Sequence, residues 1–163
     1  MPLFHPRVIA KNICRVGPAH ANHQAILSMW AKNLEGGLYD SETKNDGQFI
    51  DHILVQLLGF SQSGTSPSAW TAVKNQPIGK GNADVAIGHF TATVASVLAP
   101  FELKGAKTHD LDAVMPGRGK TPVQQVWEYA MDAKGAKWAL LSNFREIRLY
   151  AVGYGRKDYG YLE

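Results

Sequence analysis

Cysteine is almost missing from this chain: Cys14 is the single one in 163 residues. That excludes an internal disulfide and a thiolate-built zinc centre, and it suits a reducing compartment, so we expect the cytoplasm. Histidine does not replace it as a ligand source. His20 and His23 lie three apart, but His109 stands alone and no second pair completes a set at zinc spacing. Long apolar runs are lacking too, which leaves no membrane span to expect. Met1-Pro2-Leu3-Phe4-His5-Pro6 has neither the charged start nor the apolar stretch of a secretory signal. No internal repeat or low-complexity segment is apparent. Charge of one sign is in short supply: 17 Lys and Arg against 14 Asp and Glu leave +3. A balance this mild is compatible with a nucleic-acid partner and does not identify one. What remains is an ordinary composition, 45% hydrophobic, at a length that suits one domain with its own core.

The order of elements is legible in patches. Residues 1–18 read as irregular, with Pro2, Pro6 and Pro18. A first helix is expected from about Ala19 to Leu34, with Ile26, Leu27, Trp30 and Leu34 on one face, stopping at Gly36-Gly37. A second begins near Ser41-Glu42 and carries Phe49, Ile50, Ile53, Leu54, Leu57 and Leu58 before Gly59. After the turn-rich Ser61–Pro67 come strands: Trp70–Val73, Asp84–Ile87 and the longer run Thr91–Lys104. Residues 105–120 read as a polar loop. Thr121 then caps a third helix with Pro122 at its first position and Gln124 placed to complete a capping box. Val123, Val126, Trp127 and Ala130 form its buried stripe, while Gln125 and Tyr129 are neighbours on another face. A strand over Trp138–Asn143, a turn, and a strand over Glu146–Tyr150 close the pattern. Helices, strands, helix, strands describe an α/β domain on a central mixed sheet flanked by helices.

Two of those strands carry chemistry. Asp84 lies in Gly81-Asn82-Ala83-Asp84-Val85-Ala86-Ile87, and Glu102-Leu103-Lys104 closes an apolar run. Residues i and i+2 of a strand share a face, so Glu102 and Lys104 point one way and Leu103 the other. Two carboxylates and a lysine at a sheet edge can hold a hard divalent cation beside a positioned amine. That equipment cuts phosphodiesters, because the attacked phosphorus is shielded by negative oxygens until a cation neutralises them. Alone, each piece has a blander meaning: an Asp after Gly-Asn is more often a turn residue, and Glu-x-Lys on a strand is usually a solvated pair.

Asp84, Glu102-Leu103-Lys104 and Gln125-Val126-Trp127-Glu128-Tyr129, in that order, resemble the PD-(D/E)XK nuclease superfamily. More narrowly the chain resembles the N-terminal nuclease domains of single-chain restriction-modification proteins, which fuse a nuclease to an adenine methyltransferase. Ser41-Glu42-Thr43 leading to Gln48-Phe49-Ile50-Asp51 and Leu57-Leu58-Gly59-Phe60 is similar to that family's opening helix, whose early acid belongs to the site. Glu102-Leu103-Lys104-Gly105 is similar to its third motif with a trailing glycine. Trp138–Asn143 closing on Arg148-Leu149-Tyr150 is similar to the strand pair after its glutamine–tyrosine helix. Ala83 stands where the superfamily name has proline. The likeness covers residues 40–150, with 1–36 as an N-terminal helical extension of a single domain, 1–163, that we expect to be part of a larger protein.

The resemblance implies a restriction-endonuclease-like fold and a site. Asp84, Glu102, Glu42 and the Leu103 carbonyl would hold Mg2+, with Mn2+ able to substitute. Lys104 would hold or help deprotonate the nucleophilic water. Gln125 and Tyr129 would orient Lys104 or contact the phosphate backbone. Glu42 also has a plain alternative, since an acid in a first turn complements the helix dipole. Gly117-Arg118-Gly119-Lys120-Thr121 is not a phosphate loop: the first glycine would fall at Val114, and no strand precedes it. It reads instead as a basic loop, with Arg118 and Lys120, and with Lys80 and Lys107 beside the strands, suited to DNA phosphates. Trp30, Trp127 and Trp138 read as core, and Trp70 stays open. The expected function is Mg-dependent endonucleolytic cleavage of double-stranded DNA in restriction-modification or phage defence. Methyltransferase and target-recognition domains are expected in the same polypeptide, with dimerisation an option for double-strand cleavage. A recombination or repair nuclease, or a non-cleaving DNA-binding module on the same fold, are the alternatives.

Overall fold

The computed structural model describes Arg7, Ala10 and residues 21–64, 68–156 and 159–162. The irregular stretch 1–18 (apart from Arg7 and Ala10), Cys14, the first two residues of the expected opening helix, and 65–67 of the expected turn lie outside them. Helices α1 (Ala21–Glu35) and α2 (Glu42–Gln48, continuing as a π-helix over Phe49–Leu57) precede strands β1 (Trp70–Ile78), β2 (Gly81–Phe90) and β3 (Ala95–Leu103). Helix α3 (Pro122–Asp132) follows, then β4 (Trp138–Ser142), β5 (Ile147–Ala151) and β6 (Tyr159–Leu162).

The six strands form one sheet in sequence order. Every neighbouring pair is antiparallel except β3 and β4, which run parallel from Phe101↔Leu140 to Leu103↔Ser142. A parallel step needs a crossover, and α3 with the loop before it supplies that connection. The result is an α/β protein with a mostly antiparallel mixed sheet.

Alternation along β3 and β4 sorts the core into two sides. Phe101, Leu103 and Leu140 pack with Trp30 from α1, Tyr39 from the turn after it, and Phe49, Ile50, Ile53 and Leu54 from α2. Ala139 and Leu141 pack with Val123, Val126, Trp127 and Ala130 from α3. Leu140 and Leu141 are adjacent on one strand, so these clusters lie on opposite faces of the sheet. Helix α1, expected as an extension, contributes Ile26 and Trp30 to the first cluster. The Trp30 ring stacks on Tyr39 at 3.9 Å, and its indole N–H donates to the Phe144 carbonyl at 2.9 Å. Phe144 adopts φ 67° in the β4–β5 turn, where Asn143 Oδ1 accepts from the N–H groups of Arg145 and Glu146 and holds the reversal.

Several boundaries differ from expectation for identifiable reasons. Residues 91–94 are a turn, with Thr91 Oγ1 accepting from the N–H groups of Thr93 and Val94, so the long run 91–104 is β3 preceded by its hairpin loop. Strand β1 extends to Ile78 past Pro77, which an edge strand tolerates because it pairs on one side only. The π-helical part of α2 carries Leu58 out to the surface, 45% exposed, while Phe49, Ile50, Ile53 and Leu54 stay buried. The last strand, β6 (Tyr159–Leu162), has no counterpart in the sequence pattern.

Candidate active site

Strand β2 pairs with β3 from Phe90↔Ala95 to Val85↔Phe101, and the ladder ends there. Beyond that point Asp84 supplies the acceptor: its Oδ2 takes the Leu103 N–H at 2.7 Å. On its other side β3 stays attached to β4, with the Lys104 N–H donating to the Ser142 carbonyl at 2.7 Å. The two strands therefore part at the ends that carry Asp84 and Glu102, and the acids sit in the notch.

Glu102 stands in register with Leu141, on the α3 side of the sheet. It is 1% exposed, and Lys104 is 5% exposed. The Lys104 ammonium donates to Glu102 Oε1 at 2.5 Å and to the Leu103 carbonyl at 2.7 Å, and it lies 3.5 Å from Glu42 Oε2. Glu102 Oε2 is buried with no hydrogen-bond partner among the described residues.

Glu42 reaches this group from the first turn of α2. Its approach depends on Gly105. A Cβ there would collide with the Asp40 carbonyl oxygen and stand 2.9 Å from the Glu42 nitrogen, so only glycine lets β3 and the start of α2 come this close. The Ala106 N–H fastens the crossing by donating to the Tyr39 carbonyl at 2.9 Å.

From the other face, α3 begins as the sequence indicates. Thr121 Oγ1 accepts from the Gln124 N–H at 3.0 Å, and Gln124 Oε1 accepts from the Thr121 N–H at 2.9 Å, a complete capping box. Gln125 is buried, and its Oε1 accepts from Arg118 Nη1 at 3.3 Å. Arg118 is carried between Gly117 and Gly119, at φ 74° and 65°, conformations that glycine adopts freely. Tyr129 lies one turn along α3 with its ring over Gly81, where a Cβ would stand 3.0 Å from the phenol oxygen. It thus meets β2 three residues before Asp84.

Burial raises the pKa of all three acids. Glu102 is pushed up to about 7, first by loss of water, with Lys104 opposing and the Asp84 charge adding to the rise. Asp84 is raised by burial against the Leu103 N–H and Lys104. Glu42 is raised by burial, with Lys104 the chief opposing influence. Arg118 lowers both Asp84 and Glu42 electrostatically, which places its charge within reach of the notch.

The notch thus gathers Asp84, Glu102, Leu103, Lys104 and Glu42, with Gln125 and Arg118 beside them. The other expected DNA contacts are more scattered. Lys80 is exposed in the β1–β2 turn. Lys107 pairs with Asp40 at 3.3 Å, and Lys120 with Glu128 at 2.5 Å. Asp46, which no motif marks, acts by its charge on Asp84 and raises it further. The available signal was its position four residues after Glu42, on the same helical face. It also pairs with Lys74 at 2.8 Å.

Among the described residues no three His, Cys, Asp or Glu side chains converge closely enough to hold a metal ion. The donors for one are nonetheless present: Glu102 has an orphaned buried oxygen, and the Leu103 carbonyl and Glu42 carboxylate face the same ammonium. An apolar cavity of about 260 Å³ between α1, α2 and the β4–β5 turn, with Leu27, Trp30 and Phe49 in its wall, includes none of the site residues. No helix among the described residues is long and apolar enough to cross a membrane. No protein-family model matches the chain, and neither the curated proteins nor the solved structures give a match.

Proposed function

We propose that this chain is a metal-dependent DNA endonuclease domain on a restriction-endonuclease-like fold, serving restriction-modification or a related phage defence. The observation that carries the reading is the meeting of Asp84, Glu102 and Lys104 where β2 and β3 part, with Glu102 Oε2 buried and unpartnered. Burying a carboxylate oxygen without a partner costs free energy that a purely structural Glu102–Lys104 pair would not need to spend.

Asp84, Glu102 and the Leu103 carbonyl, with Glu42 directly or through water, are the oxygen donors that Mg2+ takes, and Mn2+ accepts the same set. Bound there, the ion would neutralise charge on the phosphate and acidify a water. Glu102 and Asp84 would hold it in place and must be ionised to do so. Lys104, two residues along the same strand edge, donates hydrogen bonds to the attacking water and to the phosphate oxygen beside it. Gln125 holds the Arg118 guanidinium toward the acids, where it meets the backbone of the cleaved strand. Tyr129 adds a phosphate contact from the β2 side, and Lys80, Lys107 and Lys120 bind neighbouring phosphates without reading sequence. The products would be a 5′-phosphate and a 3′-hydroxyl. Sequence recognition and methylation would belong to other domains of the same polypeptide, with a second copy completing double-strand cleavage.

The test is cleavage of supercoiled plasmid in Mg2+, with and without chelator, by the wild type, Asp84→Asn and Glu102→Gln. The reading expects chelator-sensitive nicking or linearisation by the wild type alone. Retained cleavage in either variant at saturating Mg2+ rejects this site. Preferential cleavage of branched or single-stranded DNA would move the reading to a recombination or repair nuclease.

A further inference from the structure

Lys104 occupies the position that its neighbours reserve for a cation. Its ammonium touches Glu102 Oε1 and the Leu103 carbonyl and faces Glu42 Oε2, and each of these groups is a donor of the proposed metal set. With Lys104 5% exposed and Glu102 1% exposed, the contact is enclosed. We infer that Lys104 is an internal counter-cation to the acids of the notch, and that a divalent ion binds by displacing its ammonium from Glu102 and the Leu103 carbonyl. This rests on the nuclease reading and adds a step to it: the lysine reaches the attacking water only after it has yielded its first position.

Three features favour displacement over binding alongside. A divalent ion and an ammonium sharing one carboxylate oxygen repel strongly in a buried site. The Leu103 carbonyl and Glu102 Oε1 already accept from the ammonium at 2.7 and 2.5 Å, so an ion bound to them would stand directly beside that charge. Glu102 Oε2 makes no hydrogen bond among the described residues while Lys104 holds Oε1, so the exchange gives the ion a buried oxygen that the lysine does not use. A second charge then makes the exchange favourable, since Asp84 adds a carboxylate that Lys104 does not touch directly.

The experiment is calorimetric titration of Mg2+ into the 163-residue chain and its Lys104→Met and Glu102→Gln variants, at about pH 8.5, where carboxyls are largely ionised. Methionine has similar bulk and no charge. The inference predicts that Lys104→Met binds Mg2+ about tenfold tighter or more, because the resident competitor is gone. Glu102→Gln should lose binding. Equal or weaker binding by Lys104→Met, with Glu102→Gln still losing it, overturns displacement and leaves the metal site standing. No binding by any of the three overturns both.

A measurement on the wild type guards against misfolding of the variant. With nitrogen-15 lysine labelling, the Lys104 ammonium should give a solvent-protected resonance, assigned by its absence in Lys104→Arg. Saturating Mg2+ should shift or abolish that resonance. An unchanged resonance at Mg2+ concentrations that saturate the calorimetric signal also overturns displacement.

Discussion

Gly105 and Glu42 are close because neither strand nor helix leaves room for a side chain between them: a Cβ at 105 would stand 2.9 Å from the Glu42 nitrogen. The trailing glycine of Glu102-Leu103-Lys104-Gly105 is therefore a spacing device that sets Glu42 over Lys104. Gly105→Ala should push the start of α2 away, lower stability by about 1–3 kcal/mol as overpacking does, and weaken any activity that uses Glu42. Gly47 lies within α2 with nothing within 4 Å of its would-be Cβ. Gly47→Ala should therefore gain up to about 1 kcal/mol. Urea denaturation of the two variants checks the contrast.

Removing the acids should not be equivalent for stability. Neither acid is unpaired. Glu102→Ala strands a buried ammonium and should cost about 3–5 kcal/mol. Asp84→Ala removes the acceptor of the Leu103 N–H and should cost about 1–3 kcal/mol. Asp84→Asn keeps an acceptor oxygen and should recover most of that loss. Thermal melts in chelator, compared across the three, decide the order.

Stability without metal should fall with rising pH between about 4.5 and about 7. Glu102 has its folded pKa raised from 4.5 to about 7, so in that window the folded chain holds a proton that the unfolded chain has released. Stability then decreases as pH rises, and the favourable contribution, complete below 4.5, is gone above the folded value. Asp84 and Glu42 are raised too and add in the same direction. Glu102→Gln should flatten the profile in this window. A wild-type profile that rises from pH 5 to 7 because of these acids would contradict the burial that raises them.

Gln124 and Gln125 are adjacent, and their duties differ. Gln124→Ala breaks the capping box and should cost roughly 0.5–1 kcal/mol of stability. Gln125→Ala leaves the cap intact and releases Arg118. It should lower cleavage far more than it lowers the melting temperature. Arg118→Ala combined with Gln125→Ala should cost little more than either alone, since the two act as one unit. Additive losses in cleavage rate would show that Gln125 works through something other than Arg118.

DNA binding should be weak, salt-sensitive and indifferent to sequence. By the rule of roughly −0.9 per neutralised phosphate, three or four contacts from Lys80, Lys107, Arg118 and Lys120 give a log–log salt slope of about −3 to −4. Lys107 and Lys120 already hold Asp40 and Glu128, and such exposed pairs are cheap to exchange for phosphate. Glu128→Gln should therefore tighten binding modestly. Fluorescence anisotropy at several salt concentrations measures both effects, and a salt-independent, sequence-selective complex would contradict this account.

The parts of the molecule legible in the sequence are those set by short-range signals. Thr121-Pro122 and Gln124 specify the start of α3 within four residues, and the apolar runs around Asp84 and before Glu102 specify two strands. Side-chain contacts are less accessible. The i, i+2 rule puts Glu102 and Lys104 on one side, but it does not reveal that Lys104 turns onto Glu102 and the Leu103 carbonyl. The Arg118–Gln125 contact joins a glycine-flanked loop to a buried helix face, and no periodicity announces it. Strand β6 is four residues long, with glycine as its second residue, and owes its place to pairing with β5. The π-helical turn of α2 is likewise invisible in a pattern read at one helical period.

The most direct measurement is Mg2+-dependent cleavage of plasmid DNA by the chain and by Glu102→Gln, with the ends of any product tested for ligation. The account predicts cleavage by the wild type that chelator abolishes, ligatable 5′-phosphate ends, and none from Glu102→Gln. Cleavage by Glu102→Gln at the wild-type rate, or no cleavage of any DNA by the wild type in either Mg2+ or Mn2+, would contradict it.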